Sequence, residues 1–213
     1  MKFIPILQKY SGSVIISFDS DFIYNKEIFE HLYKHHIKYP NTIISTFTLS
    51  AVGGIVNFEL EQKFSSNKPK LKKMLEGYGG VLYPKIFFEK CKIDLDEALK
   101  HYFKNDDIYF WQLAVQNGIK TTSFLTRIFG RWIPVSNPNK WWGNIAINDT
   151  MQSHGSTSID GHDNKNSPWF DYYVLKYALS NPKVLDNIKK ECKKIKWYGF
   201  DWLLKQKYNN WHS

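Results

Sequence analysis

The sequence predicts an α/β fold in which helices flank a mixed sheet, and three consecutive segments carry this prediction. Residues 13–18, SVIISF, form a short β-branched run typical of a buried strand, which we expect to be parallel to its neighbours. Residues 25–38 show the apolar spacing of an amphipathic helix, and residues 42–47, TIISTF, form a second β-branched run. A strand, a helix and a second strand in this order predict a βαβ unit.

The helix predicted over residues 25–38 has recognisable ends. Asn25 suits the N-cap position, and Pro40 prevents the helix from continuing. The side chains expected to share one apolar face are Ile28, Phe29, Leu32 and Tyr33.

The middle of the chain contains a charged segment followed by a glycine-rich one. Residues 59–76 are rich in lysine and are expected to form a solvated helix or loop. Residues 77–84, GYGGVLYP, place three glycines in four positions, so the backbone there must turn tightly or let another group approach closely. Two interpretations stay open: a loop that lies against a flat substrate, with Tyr78 and Tyr83 as walls, or an ordinary turn that enters a strand.

The second half of the chain is expected to contain helices, one strand and one long loop. A helix that begins near Asp106 should end at Gly118, because glycine commonly terminates helices. The other expected elements are a helix over residues 94–103, a strand over 119–126, a loop over 137–167 and an amphipathic helix over 183–196.

The composition excludes several classes of protein. With 213 residues, of which 43% are apolar and 23% charged, the chain can bury a core of its own. Its two cysteines, Cys91 and Cys192, exclude a disulfide framework and a cysteine-rich zinc module. The net charge is +9, but of 29 basic residues only Arg127 and Arg131 are arginine, the residue preferred in contacts with bases. We therefore expect no nucleic-acid binding and a partner that carries phosphate instead.

The chain is expected to be cytoplasmic, because its first 13 residues lack the apolar core of a secretory signal. Residues 183–207 carry eight lysines against three acidic residues, with aromatic residues interleaved. This pattern is typical of a helix at an anionic membrane surface, so a peripheral contact with the inner face of the cytoplasmic membrane is one interpretation. In the other, the apolar stripe packs against the domain and the lysines are simply solvated.

Two pairs of acidic residues could carry chemistry. Asp19 and Asp21 follow the first strand, and their spacing lets both carboxylates reach one divalent cation; the alternative is a turn that caps the next helix. Asp106 and Asp107 precede an apolar helix, where one carboxylate could act as a general base; the alternative is a helix cap.

Two histidines, His154 and His162, lie in serine- and glycine-rich sequence. Either could contribute a metal or phosphate ligand, although solvated loop histidines are common.

Taken in order, three motifs resemble those of bacterial glycosyltransferases of the GT-A fold, which act in surface polysaccharide and lipopolysaccharide assembly. The motifs are residues 14–24, VIISFDSDFIY, then residues 77–84, GYGGVLYP, then residues 106–110, DDIYF. The resemblance covers about the first 115 residues and implies a Rossmann-like mixed sheet. It also implies a metal-dependent transfer of sugar from a nucleotide-sugar donor to a saccharide or lipid-linked acceptor, with inversion at the anomeric carbon.

The resemblance also implies roles for individual residues. Asp21 would bind Mn²⁺ or Mg²⁺ under the donor diphosphate, and Asp19 would face the ribose or a metal-bound water. Asp107, or else Asp106, would take the proton from the attacking hydroxyl. Three residues would shape the acceptor side: Gly79, Gly80 and Tyr83.

The resemblance further implies a single domain over residues 1–213. Residues 1–58 would end the nucleotide- and metal-binding half, residues 59–136 would form the acceptor and catalytic half, and residues 137–213 would form a loop-rich and helical remainder. Only 18 residues precede Asp19, so we expect the amino-terminal part of the nucleotide-binding half to be missing.

Two other functions stay open from the sequence. A chain without a complete nucleotide-binding half could be a non-catalytic remnant or a carbohydrate-binding module. The four aspartates Asp19, Asp21, Asp106 and Asp107 could instead form a metal-dependent phosphoesterase, although such an enzyme has no need of the glycine-aromatic segment.

Overall fold

A computed structural model of the chain describes residues 14–18, 22–24, 27–50, 68–71, 73–102, 106–128, 131–134, 145–146 and 179–194. The helices in this part are α1 (Glu27–Lys38), α2 (Lys85–Lys90), α3 (Leu95–Tyr102), α4 (Asp106–Gln116) and α5 (Pro182–Lys194). The strands are β1 (Ile15–Ser17), β2 (Phe22–Ile23), β3 (Ile43–Ser50), β4 (Lys73–Tyr83), β5 (Thr121–Ser123), β6 (Leu125–Ile128), β7 (Arg131–Pro134) and β8 (Ile145–Ala146).

The main sheet has four strands in the order β1-β4-β3-β5. β4 is antiparallel to both β1 and β3, whereas β3 and β5 are parallel. Two short antiparallel pairs, β2 with β8 and β6 with β7, lie outside this sheet. The predicted α/β class, with a mixed sheet flanked by helices, is confirmed.

The expectation that the first strand is parallel to its neighbour is wrong. β1 and β3 do run in the same direction, because both are antiparallel to β4, but β4 lies between them. The strand, helix and strand at the start of the chain are therefore not direct neighbours in the sheet. The inserted strand comes from a later part of the chain.

The expectation of a solvated helix or loop over residues 59–76 is wrong for its last four residues, which begin β4. Met74 and Leu75 are fully buried, and Lys73 is only 4% exposed. The segment is a strand because it pairs with β3, where Leu49 lies opposite Met74 and Thr48 opposite Leu75. The strand was not predicted because Met74 and Leu75 follow a lysine-rich stretch of sequence. Residues 59–67 lie outside the described part.

The glycine-rich segment forms a bulge within β4. Ser45 of β3 pairs with Val81, but the next paired residue, Phe47, lies opposite Glu76. Thr46 alone therefore faces residues 77–80, which leave the regular ladder. Bulges of this kind bend a strand and change the direction of its side chains. The segment lies inside β4, so it is neither a separate loop nor a turn that enters a strand.

The helices bury the two faces of the sheet in separate cores. On one face α4 is buried from Ile108 to Val115, so this helix is covered all round, as its continuous apolar sequence requires. On the other face α1 buries Ile28 and Leu32 against Ile44 and Leu82.

The apolar face of α1 is narrower than predicted. Phe29 is 51% exposed and Tyr33 is 57% exposed. Ile28 and Leu32 enter the core beneath α1, whereas Phe29 contacts Phe18 at the edge of that core.

The ends of several helices match the sequence signals. Gly118 has a φ of +70° and ends α4 as predicted, and the amide of Ile119 donates to the Ala114 carbonyl at 2.8 Å. At the start of α5, the Asn181 side chain accepts a capping hydrogen bond from the Lys183 amide at 3.1 Å, which was not predicted. α2 was not predicted, and the strand expected over residues 119–126 is divided at Phe124 into β5 and β6.

The apolar stripe of α5 packs into the core. Val184, Ile188 and Cys192 are buried in the same cluster as α4. The Asn187 amide group donates to the Val115 carbonyl of α4 at 2.9 Å. Over residues 182–194 the apolar stripe is therefore not available to a membrane, whereas the lysines Lys183, Lys190 and Lys193 are exposed.

Within the described residues, none of the helices combines the length and the apolar character needed to cross a bilayer.

Candidate functional site

The bulge of β4 is joined to the first turn of α4. The backbone amide of Gly77 donates a hydrogen bond of 2.7 Å to Oδ2 of Asp107. Asp107 is the second residue of α4, where a carboxylate also interacts favourably with the helix dipole. Both residues are half-buried, and the Gly77 amide holds one of the two carboxylate oxygens.

The absence of a side chain at position 77 makes this contact possible. A Cβ atom placed on Gly77 would lie 2.5 Å from Oδ1 of Asp107, closer than real Cβ contacts allow. The glycine therefore lets the carboxylate approach the backbone of β4.

The other end of the bulge is in contact with the residue that precedes the first acidic pair. Gly80 has a φ of +95°, which favours glycine. A Cβ atom there would lie 2.5 Å from Cε1 of Phe18, so the Phe18 ring packs against the backbone of Gly80. Phe18 directly precedes Asp19 in the chain.

Aromatic contacts hold together the two ends of the segment that carries Asp19 and Asp21. The ring centroids of Phe18 and Tyr24 are 4.5 Å apart in an edge-to-face arrangement, and those of Phe18 and Phe29 are 4.6 Å apart. Asp19 and Asp21 themselves lie outside the described residues. Their flanking residues nevertheless place the beginning of this segment beside Gly80.

The bulge is therefore the meeting point of the three sequence motifs. Its first residue, Gly77, contacts the paired acids through Asp107, and its last residue, Gly80, contacts Phe18 at the start of the first acidic pair. Asp106 is the first residue of α4 and is half-buried beside this junction.

The three residues expected to shape the acceptor side are buried. Gly79 and Gly80 are buried, and Tyr83 is 2% exposed. The Tyr83 ring packs against Phe87 at a centroid distance of 5.2 Å and against Phe110 at 5.7 Å. Tyr83 thus belongs to the core, where it packs the end of β4 against α2 and α4.

Two other reactive side chains near α4 have structural partners. Burial raises the pKa of the Cys91 thiol to about 12, and the thiol donates to the Leu113 carbonyl at 3.6 Å. Burial also raises the pKa of Tyr109 to about 12, and its hydroxyl donates to the carbonyl and accepts from the amide of Asp94. At neutral pH both groups stay protonated, so neither supplies an anionic nucleophile.

The described residues contain no group of three or more His, Cys, Asp and Glu side chains that could hold a metal ion. The two carboxylates expected to do so, Asp19 and Asp21, lie outside that part of the chain, as do His154 and His162. The chemistry of Asp19 and Asp21 fits Mn²⁺ or Mg²⁺, because both cations prefer oxygen ligands.

The sequence alone assigns no role to Gly77, Phe18 or Tyr24. Gly77 was part of the glycine-rich motif, but nothing local distinguished it from Gly79 and Gly80. The aromatic residues on either side of the acidic segment were the available signal for Phe18 and Tyr24.

No protein-family model matches the chain, and no match is found among curated proteins or solved structures.

Proposed function

We propose that this chain is a metal-dependent glycosyltransferase that moves a sugar from a nucleotide-sugar donor to a saccharide or lipid-linked acceptor. One observation carries the proposal: the bulge of β4 contacts both acidic motifs, Asp107 through Gly77 and the residue before Asp19 through Gly80. The resemblance in sequence requires these motifs to act on one reaction centre, and the contacts support that arrangement.

In this proposal Asp107 is the general base. Its anchored carboxylate accepts the proton of the acceptor hydroxyl as the hydroxyl oxygen bonds to the anomeric carbon. The bond between that carbon and the nucleoside diphosphate breaks in the same step, and its electron pair leaves with the phosphate. A single displacement inverts the anomeric carbon.

Asp19 and Asp21 would hold Mn²⁺ or Mg²⁺. The metal, when bound, would neutralise the charge that develops on the diphosphate leaving group. The protein's own contribution is to present the two carboxylates on a segment whose ends are joined by the contact of Phe18 with Tyr24. Phe18 in turn packs against Gly80, which relates this segment to the bulge and hence to Asp107.

A lipid-linked acceptor would be met at the cytoplasmic face of a membrane. The exposed lysines of α5, Lys183, Lys190 and Lys193, suit an electrostatic contact with anionic lipid. Because the apolar stripe of α5 is buried, this contact would depend on charge and weaken as salt rises.

Thermal unfolding with Mn²⁺ and UDP, GDP or CMP tests the donor site. A ligand that binds the folded state raises the melting temperature, by an amount that grows with its concentration above Kd. We expect such a rise with one of these nucleotides, and we expect Asp21→Asn to abolish it. Asp186→Asn, which removes an exposed carboxylate from α5, is the matched control and should keep it.

Two outcomes oppose the proposal. If the parent chain gains no stability from any of the nucleotides, the non-catalytic alternative is favoured. If Asp21→Asn responds as the parent does, the metal and nucleotide do not bind at this segment.

A further inference from the structure

Gly77 is a glycine for a reason other than backbone conformation. Its φ is not positive, unlike those of Gly80 and Gly118, so an alanine could adopt the same backbone angles. A Cβ atom at position 77 would lie 2.5 Å from Oδ1 of Asp107, so the carboxylate would have to turn away from it. The Asp107 carboxylate, 30 residues away in the sequence, thus occupies the space that a side chain at position 77 would take.

The same residue also holds that carboxylate. The Gly77 amide donates to Oδ2 while the missing Cβ leaves room for Oδ1, so one backbone position constrains both oxygens. The amide is turned towards α4 because residues 77–80 leave the β3 ladder. A hydrogen bond from an amide to a carboxylate is stronger than one between neutral groups, and it favours a single orientation of the side chain.

We propose that Gly77 is the positioning residue for Asp107: it fixes the direction in which the carboxylate faces the site, through its amide and through its missing side chain. The catalytic part of this inference rests on the proposed function, because it treats Asp107 as the base. The structural part does not. The alternative is that the contact merely ties β4 to α4.

A cycle of variants tests the structural part without any assay of activity. Gly77→Ala should lower Tm by roughly 1–6 °C in the parent chain, because the Asp107 carboxylate must turn away from the added methyl group and loses its hydrogen bond to the amide. In the Asp107→Ala background the same substitution should leave Tm unchanged or raise it slightly, because the obstacle is gone and alanine restricts the unfolded chain. Gly118→Ala, strained by its φ of +70°, is the control and should lower Tm equally in both backgrounds.

Equal losses for Gly77→Ala in both backgrounds would overturn the inference. If Gly77→Ala fails to fold, NMR of the parent chain decides instead. Asp107→Ala should then move the Gly77 amide proton upfield, because a hydrogen bond to a carboxylate is lost, whereas Asp106→Ala should leave that proton in place. A Gly77 amide unaffected by Asp107→Ala contradicts the inference.

Measurement of turnover distinguishes a residue that positions the Asp107 carboxylate from one that only joins β4 to α4. With Mn²⁺ and a panel of UDP-, GDP- and CMP-sugars, Gly77→Ala should lower kcat by about 10²-fold, the cost of misplacing a catalytic group by about 1 Å, with KM for the donor unchanged. An unchanged kcat in a variant with lowered Tm would reduce Gly77 to a structural tie. If the parent chain turns over none of these donors, the proposed function fails, while the cycle of variants still decides how Gly77 and Asp107 interact.

Discussion

The amide nitrogen of Gly77 lies 2.7 Å from Oδ2 of Asp107, across the junction between a central strand and the first turn of a buried helix. The strand contributes the amide of a residue in its bulge, and the helix contributes a carboxylate from its first turn. The contact is local in space and remote in sequence. Neither motif alone indicates that it exists.

The other end of the bulge gives a prediction for stability. Gly80→Ala should cost about 1–2 kcal/mol for the positive φ and a further amount for the overlap with Phe18. Urea denaturation measures the sum. In the Phe18→Ala background only the cost of the φ should be left. That cost should be at least as large as for Gly118→Ala, which has no atom of the structure within 4 Å of its Cβ position, because the φ of Gly80 lies further outside the left-handed region open to other residues. If Gly80→Ala lowers the free energy of unfolding by the same amount with and without Phe18→Ala, the ring does not pack against position 80.

Tyr83 offers a test of its place in the core. The ring is 2% exposed and packs against Phe87 and Phe110. Tyr83→Ala should therefore lower the free energy of unfolding by about 3–5 kcal/mol, as the loss of a large buried aromatic side chain does. A residue that serves only as a substrate wall would behave differently, with a loss below about 1 kcal/mol and a raised KM.

The histidines of α1 predict how stability depends on pH. Burial lowers the pKa of His35 below its usual value, with positive charge from His31 and Lys38 acting in the same direction and a hydrogen bond to the His31 carbonyl acting against it. Burial also lowers the pKa of His36. An unfolded histidine titrates near pH 6.5, so protons bind the unfolded chain more readily as the pH falls below that value.

The stability contributed by neutral His35 is therefore fully present above about pH 6.5 and is lost as the pH falls through the lowered pKa of the folded state. Urea midpoints measured from pH 8 to pH 5 should fall over the acidic part of this range. His35→Gln should make the decline shallower, since glutamine does not titrate. Parallel curves for the parent and the variant would assign the decline to other groups.

The local elements of this fold could be predicted because their signals are local. Periodic apolar residues predicted α1 and α5, the apolar segment after Asp107 predicted α4, and Pro40 and Gly118 predicted two of the helix ends. β4 could not be predicted from its lysine-rich beginning, because its stability comes from pairing on both sides with β1 and β3. The direction of β1 was mistaken for the same reason: the strand that lies beside it comes from a distant part of the chain.

The candidate site was partly predictable, again according to distance along the chain. The acidic residues Asp106 and Asp107 could be recognised from their position before an apolar helix. The reason for Gly77 could not, because it depends on a carboxylate 30 residues away. Tyr83 could not be assigned either, since a tyrosine beside glycines suits a binding wall and a core equally well, and only its packing against Phe87 distinguishes the two.

The most direct test of the account compares Asp107→Asn with the parent chain in two assays. Asp107→Asn should reduce turnover of the donor that the parent accepts by about 10²–10⁴-fold, the usual loss when a general base is removed. It should still be stabilised against heat by Mn²⁺ and the nucleoside diphosphate, because a base acts on the acceptor and not on the diphosphate. Asp186→Asn, on the surface of α5, should match the parent in both assays. Parent-like turnover by Asp107→Asn would contradict the assignment of Asp107 as the base.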